Sequence, residues 1–129
     1  AGVRIYDDYA HHPTEIAATL TAARSMTAGR IFCVYQPHTY SRTKGLFDGF
    51  VSSLRLADQA VLADIYPARE TDTLGMSSAL LAAQIGNGAL YFESFEKIAA
   101  YLLKTAKPGD LILTMGAGDI TRLSDLLLV

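Results

Sequence analysis

Residues 3–15 are Val3-Arg4-Ile5-Tyr6-Asp7-Asp8-Tyr9-Ala10-His11-His12-Pro13-Thr14-Glu15. Residues 3–6 have the composition of a short strand, and the chain then presents two carboxylates, a tyrosine and two histidines before Pro13. Proline is favoured at the first position of a helix, where its missing N–H would have no partner anyway. The stretch therefore predicts a strand-to-helix turn, with His12 near the N-cap and Glu15 in the first turn, where negative charge suits the helix dipole.

The rest of the chain alternates strand patterns with helix patterns. Strands are predicted at residues 3–6, 30–36, 59–65, 89–92 and 111–115, and helices at residues 13–26, 44–56, 77–85, 94–104 and 120–128. Gly29 is a candidate for the residue that ends the first helix, and residues 38–43 are predicted to form a polar loop. The alternation predicts an α/β fold: one Rossmann-like three-layer domain over residues 1–129, with a mostly parallel sheet of about five strands and helices on both faces.

Unusual polar residues follow the first, second, third and fifth predicted strands, whereas the opposite strand ends are ordinary turns. In parallel α/β sheets, ligands bind at the carboxyl ends of the strands. We therefore expect one edge of the sheet to carry the chemistry. The candidates there are Asp7, Asp8, Tyr9, His11, His12, His38, Tyr40, Arg42, Arg69, Glu70 and Asp119.

Composition narrows the class of protein. The 129 residues are 50% hydrophobic and 19% charged, which suits one globular domain with its own core. A net charge of −2 gives no basic footprint for nucleic acid. No apolar run approaches the ~18 residues of a membrane span, and no leader pattern precedes the first strand, so we expect a cytoplasmic protein. Cys33 has no disulfide partner in the chain and is predicted to lie buried in a strand.

Two patterns suggest binding sites. Arg42 lies beside Ser41 and Thr43 at the start of a predicted helix, which favours an anion site over a solvated surface arginine. A zinc site of His11, His12, His38 and Asp8 is conceivable, but adjacent histidines usually point apart and the chain has no HExxH or CxxC spacing. We therefore predict no metal ligand set in this chain, and helix capping is the alternative role for His12.

Glycines follow the last predicted strand. Gly116-Ala117-Gly118 matches half of a dinucleotide-binding fingerprint, but Thr121 occupies the sixth position. We favour a tight turn that lets the last helix pack closely on the sheet. No GxxxxGK[ST] phosphate-binding loop occurs in the sequence.

Four motifs, in order along nearly the whole chain, resemble the Mur ligase family. They are Asp7-Asp8-Tyr9-Ala10-His11-His12-Pro13-Thr14-Glu15-Ile16, Gln36-Pro37-His38-Thr39-Tyr40-Ser41-Arg42-Thr43, Ile65-Tyr66-Pro67-Ala68-Arg69-Glu70 and Thr114-Met115-Gly116-Ala117-Gly118-Asp119-Ile120. They are most similar to the branch that adds L-alanine to UDP-N-acetylmuramate. The branch that recycles murein tripeptide shares the first motif but has Glu-Pro-Arg where this chain has Gln-Pro-His.

The resemblance implies one part of a larger enzyme of peptidoglycan biosynthesis. Such ligases have three domains, and this chain resembles the C-terminal one. ATP and Mg²⁺ would be bound mainly by a central ATPase domain, over which this domain would close, and the partners would be UDP-N-acetylmuramate, L-alanine and ATP. The start at Ala1-Gly2, without methionine, is what we expect of a piece cut from a longer chain. The chain alone is therefore expected to lack ligase activity.

The resemblance also implies roles for single residues. Asp8 and His11 match catalytic positions, and Asp8 and Tyr9 match nucleotide contacts. His38 and Arg42 match L-alanine-binding positions, with Arg42 the partner of its carboxylate. The positions expected to order loops or contact another domain are His12, Tyr40, Arg69, Glu70, Gly116, Gly118 and Asp119. Many family members have arginine where this chain has Thr39, so Arg42 or another residue must replace that second positive charge.

Two hypotheses of other classes stay open from the sequence. One is a freestanding Rossmann-like module that binds a nucleotide or an amino acid without chemistry. The other is a small metal-dependent hydrolase that uses the histidines and Asp8.

Overall fold

The computed structural model describes residues 2–127. Its strands are β1 (Arg4–Asp8), β2 (Ile31–Tyr35), β3 (Gln59–Leu62), β4 (Leu90–Tyr91) and β5 (Leu111–Met115). Its helices are α1 (Pro13–Ala23), α2 (Tyr40–Gly45), α3 (Phe47–Leu54), α4 (Ser78–Ile85), α5 (Phe95–Thr105) and α6 (Arg122–Leu127). No described helix is long and apolar enough to cross a membrane.

The five strands form one sheet in the order β1-β5-β2-β3-β4, and every pair is parallel. Asp8 pairs with Met115, and Met115 pairs with Tyr35, so three strands end at the same level. All carboxyl ends therefore meet at one edge, called the carboxyl edge below, as the sequence predicted. The last strand, β5, lies between β1 and β2, where the chain's order alone would not put it.

Helices cover both faces of the sheet, which confirms the three-layer prediction. Successive strand residues point to opposite faces, so Cys33 packs with α1, α3 and α4, whereas Phe32 and Val34 pack with α5 and α6. All five β2 residues are buried. This burial explains the near-continuous apolar run of β2 and confirms the expected position of Cys33.

Helix α1 begins as predicted, at Pro13 with His12 as N-cap. A capping box forms, because His12 accepts a hydrogen bond from the helix while Glu15 reaches back to the N-cap backbone. The helix ends at Ala23, three residues before the expected end, and Gly29 does not cap it. Gly29 instead packs against the turn before β5, where a Cβ would lie 2.3 Å from the Gly109 carbonyl oxygen.

The predicted polar loop 38–43 is wrong from Tyr40 onward, and the predicted single helix 44–56 is divided between the end of α2 and α3. Helix α2 already begins at Tyr40, because Thr39 caps it: the threonine hydroxyl oxygen accepts a hydrogen bond from the Arg42 N–H at 3.2 Å. Leu46, with φ −117° and ψ 21°, then separates α2 from α3. Arg42 consequently lies inside a short helix of its own at the carboxyl edge.

Other boundaries differ by a few residues. Strands β3 and β4 are shorter than predicted, whereas β5 has the predicted bounds. Ser94 is the N-cap of α5, as expected. The predicted last helix begins at Arg122 rather than at Ile120, and its predicted end, Leu128, lies outside the described residues.

Candidate functional site at the carboxyl edge

Asp8 holds the turn between β1 and α1. Its Oδ1 accepts a hydrogen bond from the Ala10 N–H at 2.8 Å, and its Oδ2 accepts one from the Thr19 hydroxyl at 3.3 Å. Asp7 has a different task, because its carboxylate accepts hydrogen bonds from the hydroxyls of Thr114 and Ser124 and ties β1 to β5 and α6. Of the two predicted carboxylates, Asp8 is thus the one that shapes the turn.

Glu15 orders the backbone of the histidine pair. Its Oε1 accepts hydrogen bonds from the N–H groups of His11 and His12, each at 3.2 Å. The bond from the His11 N–H is the main reason that the pKa of Glu15 lies below its usual value. His12 Nδ1 accepts the Thr14 N–H at 3.1 Å, so this imidazole is occupied as a helix cap.

Tyr9 and His11 project from the turn that Asp8 and Glu15 fix. The side chain of Tyr9 is 71% exposed, and its ring lies edge-on to the ring of His11 with 5.8 Å between centroids. His11 Nδ1 lies 3.0 Å from the Tyr9 carbonyl oxygen. An exposed tyrosine ring at this position can lie against a flat group, such as a base, brought from outside the chain.

Tyr35 supports this turn from the core. It is fully buried at the end of β2, and its hydroxyl donates to the His11 carbonyl oxygen at 3.4 Å. Burial raises the pKa of Tyr35; the positive charge of Arg42 opposes that rise and the negative charge of Glu15 adds to it. The hydrogen bond of the buried Tyr35 hydroxyl therefore holds the His11 turn against the end of β2.

Arg42 is a cation available at this edge. It is half-buried, and its guanidinium makes no hydrogen bond or ion pair within residues 2–127. A guanidinium without a protein partner can form a two-pronged pair with a carboxylate or a phosphate.

The segment after β3 supports α2. The ring of His38 stacks on Tyr66 at 5.6 Å between centroids, and the backbones join through hydrogen bonds from Thr39 N–H to Tyr66 C=O and from Tyr66 N–H to Pro37 C=O, both 2.8 Å. Glu70 accepts hydrogen bonds from the Tyr40 and Ser41 N–H groups and from the Ser41 hydroxyl. His38 and α2 are consequently fastened to the third motif.

Two further candidate residues of this region are Tyr40 and Arg69. Tyr40 is half-buried at the start of α2 and borders a cavity of about 280 Å³ with Met76 and Ser77. Arg69 is exposed, and its side chain makes no hydrogen bond in the part of the chain that the structure describes.

The turn after β5 depends on its glycines. Gly116 has φ +147°, and a Cβ there would lie 2.9 Å from the Gln36 carbonyl oxygen. At Gly118 a Cβ would lie 2.5 Å from Gln36 Oε1 and 2.8 Å from Tyr66 Cγ. Asp119 Oδ1 accepts a hydrogen bond from Gln36 Nε2 at 2.7 Å. These close approaches favour the tight-turn interpretation over a dinucleotide fingerprint.

The histidines do not converge. His11 and His12 follow β1 and His38 follows β2, but β5 lies between those strands. Within residues 2–127 no three His, Cys, Asp or Glu side chains are grouped so that they could hold a metal ion. The described residues thus offer the hydrolase hypothesis no metal centre. The groups among them that could contact ATP are exposed side chains such as Tyr9.

Sequence reasoning missed Tyr35 and Gln36 as parts of this edge. Tyr35 and Gln36 are the last two residues of the second predicted strand. The apolar run before them is fully explained by burial in the sheet, so it does not point to a site. The only signal was the polar Gln36 directly after that run, before Pro37.

The sheet, the helices on both faces and the ligand-type residues at the carboxyl edge define a Rossmann-like α/β domain. The family model described as Mur ligase, glutamate ligase domain, matches residues 1–118. The chain therefore belongs to the Mur ligase family.

Three relatives illustrate the likeness. UDP-N-acetylmuramate–L-alanine ligase of Lachnospira eligens is 55% identical over 98% of this chain, which spans 28% of that protein. The solved murein peptide ligase of Psychrobacter arcticus has 26% identity and a TM-score of 0.76, over 98% of this chain and 27% of that one. A solved domain of a putative UDP-N-acetylmuramate:L-alanyl-γ-D-glutamyl-meso-diaminopimelate ligase from Haemophilus ducreyi has 27% identity and a TM-score of 0.71, over 98% and 89% of the two chains. The chain thus spans little more than a quarter of the length of the full ligases that it matches.

Proposed function

We propose that the chain is the C-terminal domain of an ATP-dependent ligase that joins L-alanine to UDP-N-acetylmuramate in peptidoglycan biosynthesis. The observation that carries the proposal is the 55% identity, over 98% of the chain, to a relative with that name. Its substrates include ATP and a nucleotide-activated sugar, so we place the reaction in the cytoplasm.

Arg42 is proposed to bind the carboxylate of L-alanine. Its guanidinium is unpaired within the described residues, and the Glu70 carboxylate anchors the first turn of α2. His38 would line the same site, because its stacking on Tyr66 fixes the ring next to α2. The support for this role is a free guanidinium on an anchored helix, which is the arrangement that favours carboxylate recognition.

Asp8 and Tyr9 are proposed to form the nucleotide side of the site, and His11 is proposed to be a catalytic residue that lines the amino-acid side. Asp8 fixes the turn through Ala10 and Thr19, and the turn exposes Tyr9 for contact with the base of ATP. ATP, held with Mg²⁺ mainly by a central domain, would transfer its γ-phosphoryl group to the sugar's carboxylate and leave as ADP. The amine of L-alanine would then displace phosphate from the resulting acyl phosphate to form the amide. The residues of this chain would orient that amine and help to exclude water as the domains close.

The runner-up is the ligase that recycles murein tripeptide. It has the same fold, and two solved structures with such names are 26% and 27% identical to this chain. The 55% identity to an L-alanine-adding relative favours the first proposal. Gln36-Pro37-His38, where the recycling branch has Glu-Pro-Arg, favours it too.

Product analysis with the longer protein that contains this chain tests the proposal. The protein is supplied with ATP, Mg²⁺ and UDP-N-acetylmuramate, together with either L-alanine or the murein tripeptide. We expect ADP release and a product heavier by one alanine, seen by mass spectrometry, with L-alanine as the efficient substrate. Preferential use of the tripeptide would replace this proposal with the runner-up.

The 129-residue chain alone provides a second test. Without the central domain we expect no ligase activity, and calorimetry with millimolar ATP or L-alanine should detect weak binding or none. Tight binding of either ligand by the chain alone would favour the freestanding binding module instead.

A further inference from the structure

The neighbouring imidazoles of His11 and His12 are held in opposite tautomers. Nδ1 of His11 lies 3.0 Å from the Tyr9 carbonyl oxygen, and because a carbonyl oxygen only accepts, this nitrogen carries the hydrogen. Nδ1 of His12 accepts the Thr14 N–H at 3.1 Å, so this nitrogen keeps its lone pair and the hydrogen of the neutral ring is on Nε2. At Nε2, His11 therefore offers a ligand an acceptor, whereas His12 offers a donor.

Nε2 of His11 is available to a ligand. It makes no hydrogen bond with any group in the range 2–127, and the side chain is 30% exposed. The ring is nevertheless restrained, because its Nδ1 is bonded to the Tyr9 carbonyl and the Tyr9 ring packs edge-on against it. A free lone pair in a restrained imidazole is a suitable proton acceptor, because the ordinary histidine pKa lies close to neutral pH.

Glu15 controls this arrangement in two ways. Its Oε1 accepts the N–H groups of His11 and His12, each at 3.2 Å, and so fixes the turn in which Nδ1 meets the Tyr9 carbonyl. The same oxygen lies 3.7 Å from His11 Nδ1, which is too far for a good hydrogen bond but close enough for electrostatic attraction. A negative charge there favours a hydrogen on Nδ1, and it also favours the imidazolium form of the ring.

We propose that Glu15 is a positioning residue of the amino-acid site, which holds His11 Nε2 ready to take a proton from the ammonium group of L-alanine. One proton passes from the ammonium nitrogen to Nε2. The products are a neutral amine, whose lone pair can attack the acyl phosphate, and an imidazolium beside the Glu15 carboxylate. The inference rests on the proposed function, which supplies L-alanine, and adds to it the nitrogen that takes the proton and the side chain that controls it.

The tautomers can be observed without turnover, in two-bond ¹H–¹⁵N correlation spectra of the imidazoles of the 129-residue chain. At a pH of about 8.5, well above the ordinary histidine pKa of about 6.5, the rings are examined in their neutral forms. We expect the unprotonated nitrogen to be Nε2 in His11 and Nδ1 in His12, so that one ring is the internal control for the other. In Glu15→Ala the His11 ring should move towards a mixture of both tautomers. A hydrogen on Nε2 of His11 in the unaltered chain, or no change in Glu15→Ala, would overturn the proposal.

Kinetics of the longer protein that contains this chain test the role of Glu15. Glu15→Ala should lower kcat/KM for L-alanine about tenfold or more, the scale of a misplaced reacting group, while the KM for ATP stays within about twofold. Ala18→Gly, at an exposed position of α1, weakens the same helix without touching the turn and should change neither value. Equal losses in the two variants would reduce the effect to helix stability and contradict a positioning role.

A double variant tests whether Glu15 acts through His11. His11→Gln should lower kcat/KM for L-alanine at least as much as Glu15→Ala does, and Glu15→Ala should cost little more in that background. Additive losses would contradict the proposal. If product analysis shows that L-alanine is not the substrate, the proposed function fails whatever the tautomers are. If L-alanine is the substrate and Glu15→Ala keeps full activity, only the inference about Glu15 fails.

Discussion

The Glu70 carboxylate accepts two hydrogen bonds from Ser41, one from the backbone N–H at 3.2 Å and one from the hydroxyl. Ser41 lies in the first turn of α2, one residue before Arg42, whereas Glu70 belongs to the segment after β3. The pair therefore fastens a connection of the sheet onto the helix that carries the cation. Only the tertiary structure relates these two motifs, which lie 29 residues apart.

Glu70→Gln should make the chain less stable at neutral pH and less sensitive to acid. The hydrogen bond from the Ser41 hydroxyl is the main cause that lowers the pKa of Glu70 from its ordinary value of 4.5. A lowered pKa in the folded state adds stability above the unfolded-state pKa, and this stability is lost as the pH falls through the folded-state value. Denaturant unfolding at several pH values should therefore show the two proteins converging below pH 4.5.

Ser41→Ala provides the matched control for that experiment. If the two residues act as one unit, the double variant should be about as stable as either single variant. Additive losses would contradict the coupling.

Asp110→Asn should destabilise the edge of the sheet opposite the site. The carboxylate accepts hydrogen bonds from the Lys107 N–H at 2.8 Å, from the Arg30 N–H at 3.0 Å and from the Arg30 guanidinium at 2.9 Å. Burial alone would raise the pKa of Asp110, but the Lys107 and Arg30 hydrogen bonds outweigh burial and lower it. We expect a loss of about 1–3 kcal/mol in the free energy of unfolding, while Asp125→Asn, at an exposed position of α6, changes it little. Equal effects of the two variants would contradict this role.

The stability from Asp110 should also depend on pH. Because its folded-state pKa is lowered, that contribution is complete above the ordinary value of 3.8 and disappears as the pH falls below it. The gap between wild type and Asp110→Asn should therefore narrow in acid.

Gly118→Ala should destabilise the turn after β5. The new methyl group would lie 2.5 Å from Gln36 Oε1 and 2.8 Å from Tyr66 Cγ, so one of them must move. We expect a loss of about 1–3 kcal/mol by thermal or denaturant unfolding. Gly45→Ala is the control, because no atom lies within 4 Å of its Cβ position, and a helical alanine should be neutral or slightly stabilising. A neutral Gly118→Ala would contradict the tight packing of the turn.

The Cys33 thiol should be inert in the folded chain. It is fully buried, and burial, with a smaller contribution from the charge of Asp8, raises its pKa to about 12. The thiolate is the reactive form, so a thiol reagent at pH 8 should label Cys33 only as fast as the chain unfolds, and at once in denaturant. Rapid labelling of chain with native circular dichroism would place Cys33 outside the core.

The regular parts of the fold could be predicted because local pattern and burial agree there. In β5 the apolar run, the turn before it and the glycines after it all indicate the same bounds. The position of β5 between β1 and β2 could not be predicted, because it depends on how the helices pack on the two faces of the sheet. Helix α2 was missed because the Thr39 cap and the Glu70 contacts, which stabilise its first turn, are side-chain interactions with no periodic pattern.

The candidate site, like the fold, could be predicted only in part from the sequence. The position of Asp8 and Arg42 at the carboxyl edge could be predicted, since their motifs carry charged groups after predicted strands. The hydrogen bond from the Tyr35 hydroxyl to the His11 carbonyl could not be predicted, because a tyrosine in an apolar strand has a sufficient explanation as core. Gln36 is similar, since its free oxygen becomes visible only when Asp119 is seen to hold the other end of its amide.

Kinetics of Arg42→Ala in the full-length ligase test the amino-acid site most directly. We predict that the KM for L-alanine rises about tenfold or more, the loss expected for a charge-assisted pair, while the KM for ATP stays within about twofold. Lys44→Ala, which removes an exposed positive charge from the same helix, should change neither KM. Equal increases in the two KM values for Arg42→Ala, or no increase for L-alanine, would contradict the role of Arg42 as the partner of the L-alanine carboxylate.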